Sequence, residues 1–489
     1  MDSVSRGPRR RVVVIGGGMA GARLAGQLTA ADRGPGTGTG AGLDVTLVGD
    51  EPHAPYNRVL LADVLAGRYA PEVVTLPSAR TARVLRGVRA VRIDRGRRRV
   101  VCEDESGRVR TLAYDVLVLA TGAEPVLPPL RGLFTSDEGE LPAGVRALRT
   151  LDDCLALREA ARPGLPAVVV GGGPLGVSAA RALASRGARV VLAHRGERLL
   201  GRRLDADAGE LLRRHLEESG VQVRTGCGVR GLCTGVPDAS PSDSPDGGRA
   251  ARTAHAARTV RGVQLADGAT LDARAVVLAC GVRPRTGLAR AAGLDVARGV
   301  VVDDALRTSD PRVHAIGDCA EYDGVLHGLA GPAQDQADAL ARVLLHGARA
   351  TERDGAAEVP YGTPPPRYRG TRTLTRLTLP AGGPPPSSPP PSPSPQSSPT
   401  AVREPQPALD LAAFGDPHPR AGDDVVRLSD ATRGVHRQVV VRGGRLAGGV
   451  LLGDLTAVGT LARAWEDDEP LRSEPLLHLL THDGEDPRR

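Results

Sequence analysis

At 489 residues the chain is too long for one ordinary core, so two or three domains are expected. Composition is globular, with 40% hydrophobic, 25% charged and only 2% aromatic residues, which argues against a disordered or fibrous chain. All 64 basic residues are arginine, and the net charge of +7 is spread through every segment without interleaved aromatics, so no nucleic-acid partner is expected.

The first predicted element is the apolar strand from Val12, preceded by Arg9-Arg10-Arg11. The run Val12–Ile15 is too short for a signal-peptide core and breaks into glycine. No stretch approaches the roughly 18 apolar residues of a membrane span, so a cytoplasmic protein without a membrane partner is expected. Gly16-x-Gly18-x-x-Gly21 follows the strand and opens a helix. In this pattern the first glycine turns the chain, the second admits a pyrophosphate to the backbone, and the third lets helix and strand pack closely. Residues 34–42, a glycine and threonine run, read as an insertion before the strand Val45–Val48. Asp50 lies 29 positions past Gly21; omitting the nine inserted residues leaves 20, the spacing of a ribose-binding acid. Asp50 or its neighbour Glu51 fills that role.

A strand at Val116–Ala120 precedes a second strand, turn and helix starting at Ala167. Its glycines are Gly171, Gly173 and Gly176, with Pro174 at the helix start, where a missing N–H costs little. The next strand, Arg189–Leu192, runs into His194-Arg195 where an acid would favour a free ribose. Two basic groups there suit a 2′-phosphate, which favours NADPH slightly over NADH. Residues 236–258 read as a surface loop, and Ala275–Cys280 as another strand. A helix is expected from Pro332-Ala333 through Leu345. Residues 384–399 contain only Pro, Ser and one Gln and read as an extended linker. Beyond it, Gln438–Val441 and Gly449–Leu452 read as strands around a turn at Gly443-Gly444.

Thr308-Ser309-Asp310-Pro311 leads into Val313-His314-Ala315-Ile316-Gly317-Asp318. With the two glycine motifs, this segment resembles the pyridine-nucleotide–disulfide oxidoreductase superfamily over residues 10 to 350. Ala120-Thr121-Gly122 and Gly281-Val282-Arg283-Pro284 are similar to its two crossovers between FAD and NAD(P) domains. The resemblance implies an α/β fold with two Rossmann-like nucleotide-binding domains, the FAD domain (10–145 and 284–350) being interrupted by the NAD(P) domain (146–283). A small C-terminal α+β domain (400–489) follows the linker. It implies FAD on Gly16, Gly18, Gly21, Asp50, Glu51, Arg58, Thr121, Gly122, Gly317, Asp318 and Pro332. It implies NAD(P)H, as exchanging cosubstrate, on Gly171, Gly173, Gly176, His194, Arg195 and Gly281.

The six cysteines, Cys102, Cys154, Cys227, Cys233, Cys280 and Cys319, form no C-x-x-C pair, so neither zinc nor an iron–sulfur cluster is expected. The segment Pro55–Leu61 lacks the redox cysteine of the disulfide reductases, and Cys102 falls in a predicted surface strand. Residues 50–67 and Gly448–Asp454 instead resemble the flavoprotein part of the assimilatory nitrite reductase large subunit. That likeness implies hydride transfer from NAD(P)H to FAD and electron release to a protein acceptor. The acceptor would be a nitrate or nitrite reductase component, or in the rival reading a ferredoxin or rubredoxin. Arg58 would add positive charge near the flavin, and the helix from Pro332 its dipole. Ser178 stands where the family often has glutamate near the nicotinamide. A nucleotide-binding redox sensor and a docking protein using the Pro/Ser linker are the readings from other classes.

Overall fold

The computed structural model describes residues 9–31, 42–77, 79, 81–134, 140–235, 258–353, 366–380, 408–468, 470–471 and 480. Three of the expected segments, the core of the 34–42 insertion, nearly all of 236–258 and the Pro/Ser run 384–399, lie outside the described residues. The chain divides into two compact units. The first comprises residues 1–60, 70–124 and 282–373; the second comprises 61–69, 125–281 and 374–489.

In the first unit, five parallel strands lie in the order Val313–Ala315, Val116–Leu119, Arg10–Ile15, Leu43–Val48, Arg83–Leu85. The central strands are apolar at consecutive positions because both faces are covered, which is the mark of a parallel sheet. Val12, Val13 and Val14 are all buried, as is the whole of Val116–Leu119. The helix Met19–Ala31 buries Leu24, Ala25 and Leu28 in the same core as Ala337 and Leu340 of the long helix Ala330–Arg353. Strands Val88–Asp94, Arg99–Asp104 and Val109–Ala113 form an antiparallel sheet beside it.

The second unit repeats the parallel plan in the order Val221–Arg224, Arg189–Ala193, Pro166–Val170, Ala275–Leu278, Val145–Arg146. The helices Pro174–Ser185 and Ala206–Glu218 belong to it; the second is capped by Asp205, which accepts from the Ala208 N–H at 3.0 Å. Its C-terminal part is a five-stranded antiparallel sheet, Leu374–Leu379, Leu409–Gly415, Arg445–Leu452, Val435–Arg442, Asp424–Asp430, covered by the helix Val458–Asp467. The expected hairpin around Gly443-Gly444 is present. Both glycines have positive φ (57° and 73°), as a two-residue turn between right-twisted strands requires.

Candidate functional site

Each glycine motif sits where a parallel strand turns into a helix, and the three glycines of each are held for different reasons. At Gly16, φ is 122° and an added Cβ would lie 1.9 Å from the Ala120 carbonyl oxygen. A Cβ on Gly21 would lie 2.1 Å from the Gly16 oxygen. Gly18, between them, faces open space with nothing within 4 Å. The second motif repeats this: Gly171 (φ 122°) is closed by Ala279, Gly176 by Gly171, and Gly173 is open. The first and third glycines thus serve the fold, while the second leaves room beside a helix N-terminus for a phosphate group.

A shallow, open cleft in the first unit is lined by Gly17, Gly49, Asp50, Glu51, Tyr56 and Arg58. Its acids are already engaged. Asp50 accepts from Arg285 at 3.0 Å. Glu51 accepts from the Tyr56 hydroxyl at 2.6 Å and pairs with Arg58, which also donates to Tyr56 at 3.1 Å. A carboxylate offers about four acceptor positions, so both acids retain capacity for ribose hydroxyls. Arg58, expected to add positive charge near the flavin, is paired with Glu51, and Tyr56 is a buried hydrogen-bond donor.

Thr121 and Gly122 join the two crossover segments. The Thr121 hydroxyl donates to the Arg285 carbonyl at 2.9 Å, and the Arg285 N–H donates to Gly122 at 2.9 Å. Gly317 has φ 77° and opens the single turn Gly317–Cys319, which holds Asp318. Its N–H donates at 2.7 Å to Gln336, a fully buried side chain that no sequence motif had marked. The helix carrying Gln336 begins at Ala330, two residues before the expected start, and Pro332 lies in its first turn, where backbone N–H groups have no helical acceptor. Open glycine, helix N-terminus and strand-end acid therefore recur in the first unit as a set that fits a flavin dinucleotide.

In the second unit His194 departs from expectation. Its Nδ1 accepts the Gly172 N–H at 3.1 Å, which requires an unprotonated nitrogen. Burial and the adjacent Arg195 charge lower its pKa, against a hydrogen bond to the Arg198 backbone. His194 is thus a neutral brace for the glycine loop, and of the two residues only Arg195 is an exposed cation. Gly281 (φ 101°) faces open space, and Ser178 is half-buried on the helix after Gly176.

The comparisons with known proteins agree with this geometry. The model of the pyridine nucleotide-disulphide oxidoreductase family matches residues 10–337. The chain belongs to that family. It is 31% identical over 354 residues to the assimilatory nitrate reductase electron transfer subunit of Bacillus subtilis, covering 71% of this chain and 41% of that protein. It is 27% identical over 451 residues to a nitrite reductase [NAD(P)H] of the same organism, covering 91% and 46%. It therefore spans less than half the length of these relatives. Among solved structures, the covalent putidaredoxin reductase–putidaredoxin complex superposes with a TM-score of 0.70 at 24% identity, over 97% of this chain and 99% of that one.

This member of the family has no disulfide: all six cysteines are free. Cys102, expected on a surface strand, is instead fully buried, and burial pushes its thiol up to about 11. Cys319 is also fully buried, donating to the Leu119 carbonyl at 3.4 Å. Neither is a thiolate nucleophile at neutral pH.

Sequence reasoning missed a second polar link. His436, fully buried in the C-terminal sheet, bonds Asp205 through Nε2 at 2.8 Å and Ser429 through Nδ1 at 2.6 Å. Asp207 brings a further oxygen within 4.8 Å, the one His/Cys/Asp/Glu grouping of metal-ligand compactness among the described residues. The facing atoms of Asp205 and His436 are already spent on each other. No local signal could have found the pair, since 231 positions separate its members.

Proposed function

We propose that this chain oxidises NAD(P)H and, through FAD, passes the electrons to a protein acceptor. The observation that carries the reading is the repetition, in one chain, of a strand, turn and helix whose middle glycine alone is open. One such cradle suits a resident dinucleotide and the other an exchanging one. The absence of cysteine from residues 50–67 separates this chain from a disulfide-reducing mechanism.

Bound FAD would supply hydride acceptance from nicotinamide and single-electron release to the acceptor. The chain supplies placement and field. Gly18 and Gly173 admit the two pyrophosphates, and Asp50 receives ribose hydroxyls while Arg285 holds it in position. Gly317, with φ 77°, lets the strand end turn close against Ala20 and Ala333, and Gln336 pins it. The first turn of the helix Ala330–Arg353 offers a positive dipole end that favours negative charge on the reduced ring. Ser178 gives the nicotinamide site a neutral hydroxyl, so positioning rather than charge must carry the hydride step there.

The finer reading makes the acceptor a component of nitrate or nitrite reduction, supported by the two Bacillus subtilis relatives. A ferredoxin is the second reading, supported by 33% identity over 314 residues to a probable ferredoxin reductase of Castellaniella defragrans, covering 67% of that protein. Either nicotinamide nucleotide fits, because the case for NADPH now rests on Arg195 alone. Anaerobic titration with NADH and then NADPH, following the visible flavin band, tests the core proposal. Stoichiometric bleaching is expected. A yellow protein that neither nucleotide reduces would leave a sensing role in its place.

A further inference from the structure

The strand Asp424–Asp430 carries a hydroxyl tied to a buried base. Ser429 pairs in register with His436 on the neighbouring strand Val435–Arg442, and its exposed side chain meets His436 Nδ1 at 2.6 Å. His436 is fully buried, and its Nε2 lies 2.8 Å from Asp205 Oδ2. Asp205 is itself fixed, because its Oδ1 accepts the Ala208 N–H at 3.0 Å. One hydrogen-bonded line therefore runs from the exposed Ser429 through His436 to a buried carboxylate.

The line has a direction. Burial alone would raise the Asp205 pKa, but hydrogen bonds from His436 and Ala208, with the Arg427 charge, hold it below the ordinary carboxylate value. An ionised carboxylate only accepts, so the single proton of a neutral His436 sits on Nε2. Nδ1 then turns a lone pair to the Ser429 O–H, which donates to it. A serine on a histidine base that an aspartate orients is an activated nucleophile, recognised by geometry and roles whatever the sequence positions. Asp207 brings a second carboxylate within 4.8 Å, which favours the positive charge His436 gains with a proton. Among the described residues this strand is the outermost of its sheet, so alternate N–H groups face away from its partner, on Ser429 or beside it. Such a group is a donor for a carbonyl oxygen held at the hydroxyl.

We propose that Ser429 is a self-acylating residue, taking the acyl group of an activated ester whose leaving group departs as an anion. Ser429 Oγ bonds to the carbonyl carbon while its proton passes to His436 Nδ1. The bond to the leaving group breaks, and that group departs with the electron pair. His436 keeps the proton, held against Asp205. The burial of His436 decides between one turnover and many. Its Nδ1 no longer has a lone pair to activate water, and Ser429, the exposed member of the line, is capped, so the new ester persists. This site stands apart from the redox reading and survives its failure.

The full chain treated with p-nitrophenyl acetate tests it, with acetyl groups located by mass spectrometry after digestion. Acetylation of Ser429 is expected to reach about one group per chain and to outpace that of exposed Ser309 by roughly 10²-fold. Asp205→Asn keeps Oδ1 for the Ala208 N–H, which turns the amide nitrogen to His436 Nε2 and forces the wrong tautomer. Its acetylation at Ser429 should slow roughly 10²-fold, with circular dichroism checking the fold. Should that variant fail to fold, the comparison of Ser429 with Ser309 in the unaltered chain decides. Equal rates at the two serines, or an unchanged rate in a folded Asp205→Asn, overturns the proposal. So does continuous nitrophenolate release that Ser429→Ala abolishes, because it requires His436 to be open to water.

Discussion

Two glycines three positions apart share a chemistry but not a purpose. Gly21 is closed by the Gly16 carbonyl, whereas Gly18 is open, so substitutions at the two should fail differently. Gly21→Val should lower stability and expression outright, because backbone must move. Gly18→Val should fold with Tm nearly unchanged yet purify with little flavin, as read from the ratio of visible to ultraviolet absorbance. If Gly18→Val retained full flavin, the pyrophosphate assignment would be wrong. Glu51→Gln tests the neighbouring cluster. It removes the charge facing Arg58, whose side chain is 26% exposed, and should weaken flavin retention measurably in dialysis. The glycines were legible in the sequence because their spacing follows from local geometry. The neutral state of His194 was not, since it depends on a Gly172 N–H that only the folded loop brings to it.

At the scale of elements, periodicity and apolar runs located the central strands well. The observed Leu43–Val48, Val116–Leu119, Arg189–Ala193 and Ala275–Leu278 differ from expectation only at their ends. End positions depend on hydrogen bonds that composition does not record. The helix Ala206–Glu218 shows how an element acquires a second duty. Asp205 caps it and also meets His436 of the C-terminal sheet, with both side chains buried. Asp205→Ala should cost about 2–4 kcal/mol, because it removes the cap and leaves a buried hydrogen-bond partner unsatisfied. Asp205→Asn, which keeps an acceptor for Ala208, should cost less. Urea unfolding followed by circular dichroism compares the two, and equal costs would reduce the His436 contact to packing.

Across the whole molecule, each unit carries a histidine that burial holds neutral: His314 in the first and His215 in the second, each with a pKa lowered to about 4. The unfolded chain titrates these near 6.5. Their contribution is therefore complete above about pH 6.5 and is lost as pH falls toward 4, because the unfolded state takes up the proton first. Each should cost about 1.4 kcal/mol per pH unit across that window. Chemical denaturation midpoints at pH 7 and pH 5 should differ accordingly, and His314→Gln should flatten the dependence. An unchanged slope in that variant would mean that His314 does not control it. Cys280→Ala should leave flavin reduction by NAD(P)H unchanged in stopped-flow traces, since no cysteine lies in the proposed path. A large loss of rate would reopen thiol chemistry.

The sequence by itself determined the two nucleotide cradles, their order, the lack of a redox cysteine pair and the C-terminal hairpin. Each rests on residues within about 30 positions of one another, where glycine geometry, strand pattern and turn chemistry act locally. Only the tertiary structure decided that Arg285 engages Asp50, that Gln336 pins Gly317, and that His436 meets Asp205. It alone revealed that Arg181 Nε and His215 Nε2 are buried without a hydrogen-bond partner among the described residues. The reason is physical. Burial and polar pairing are set by which distant side chains the packed core brings together, and a chain of scattered arginines gives no local sign of which will find a carboxylate.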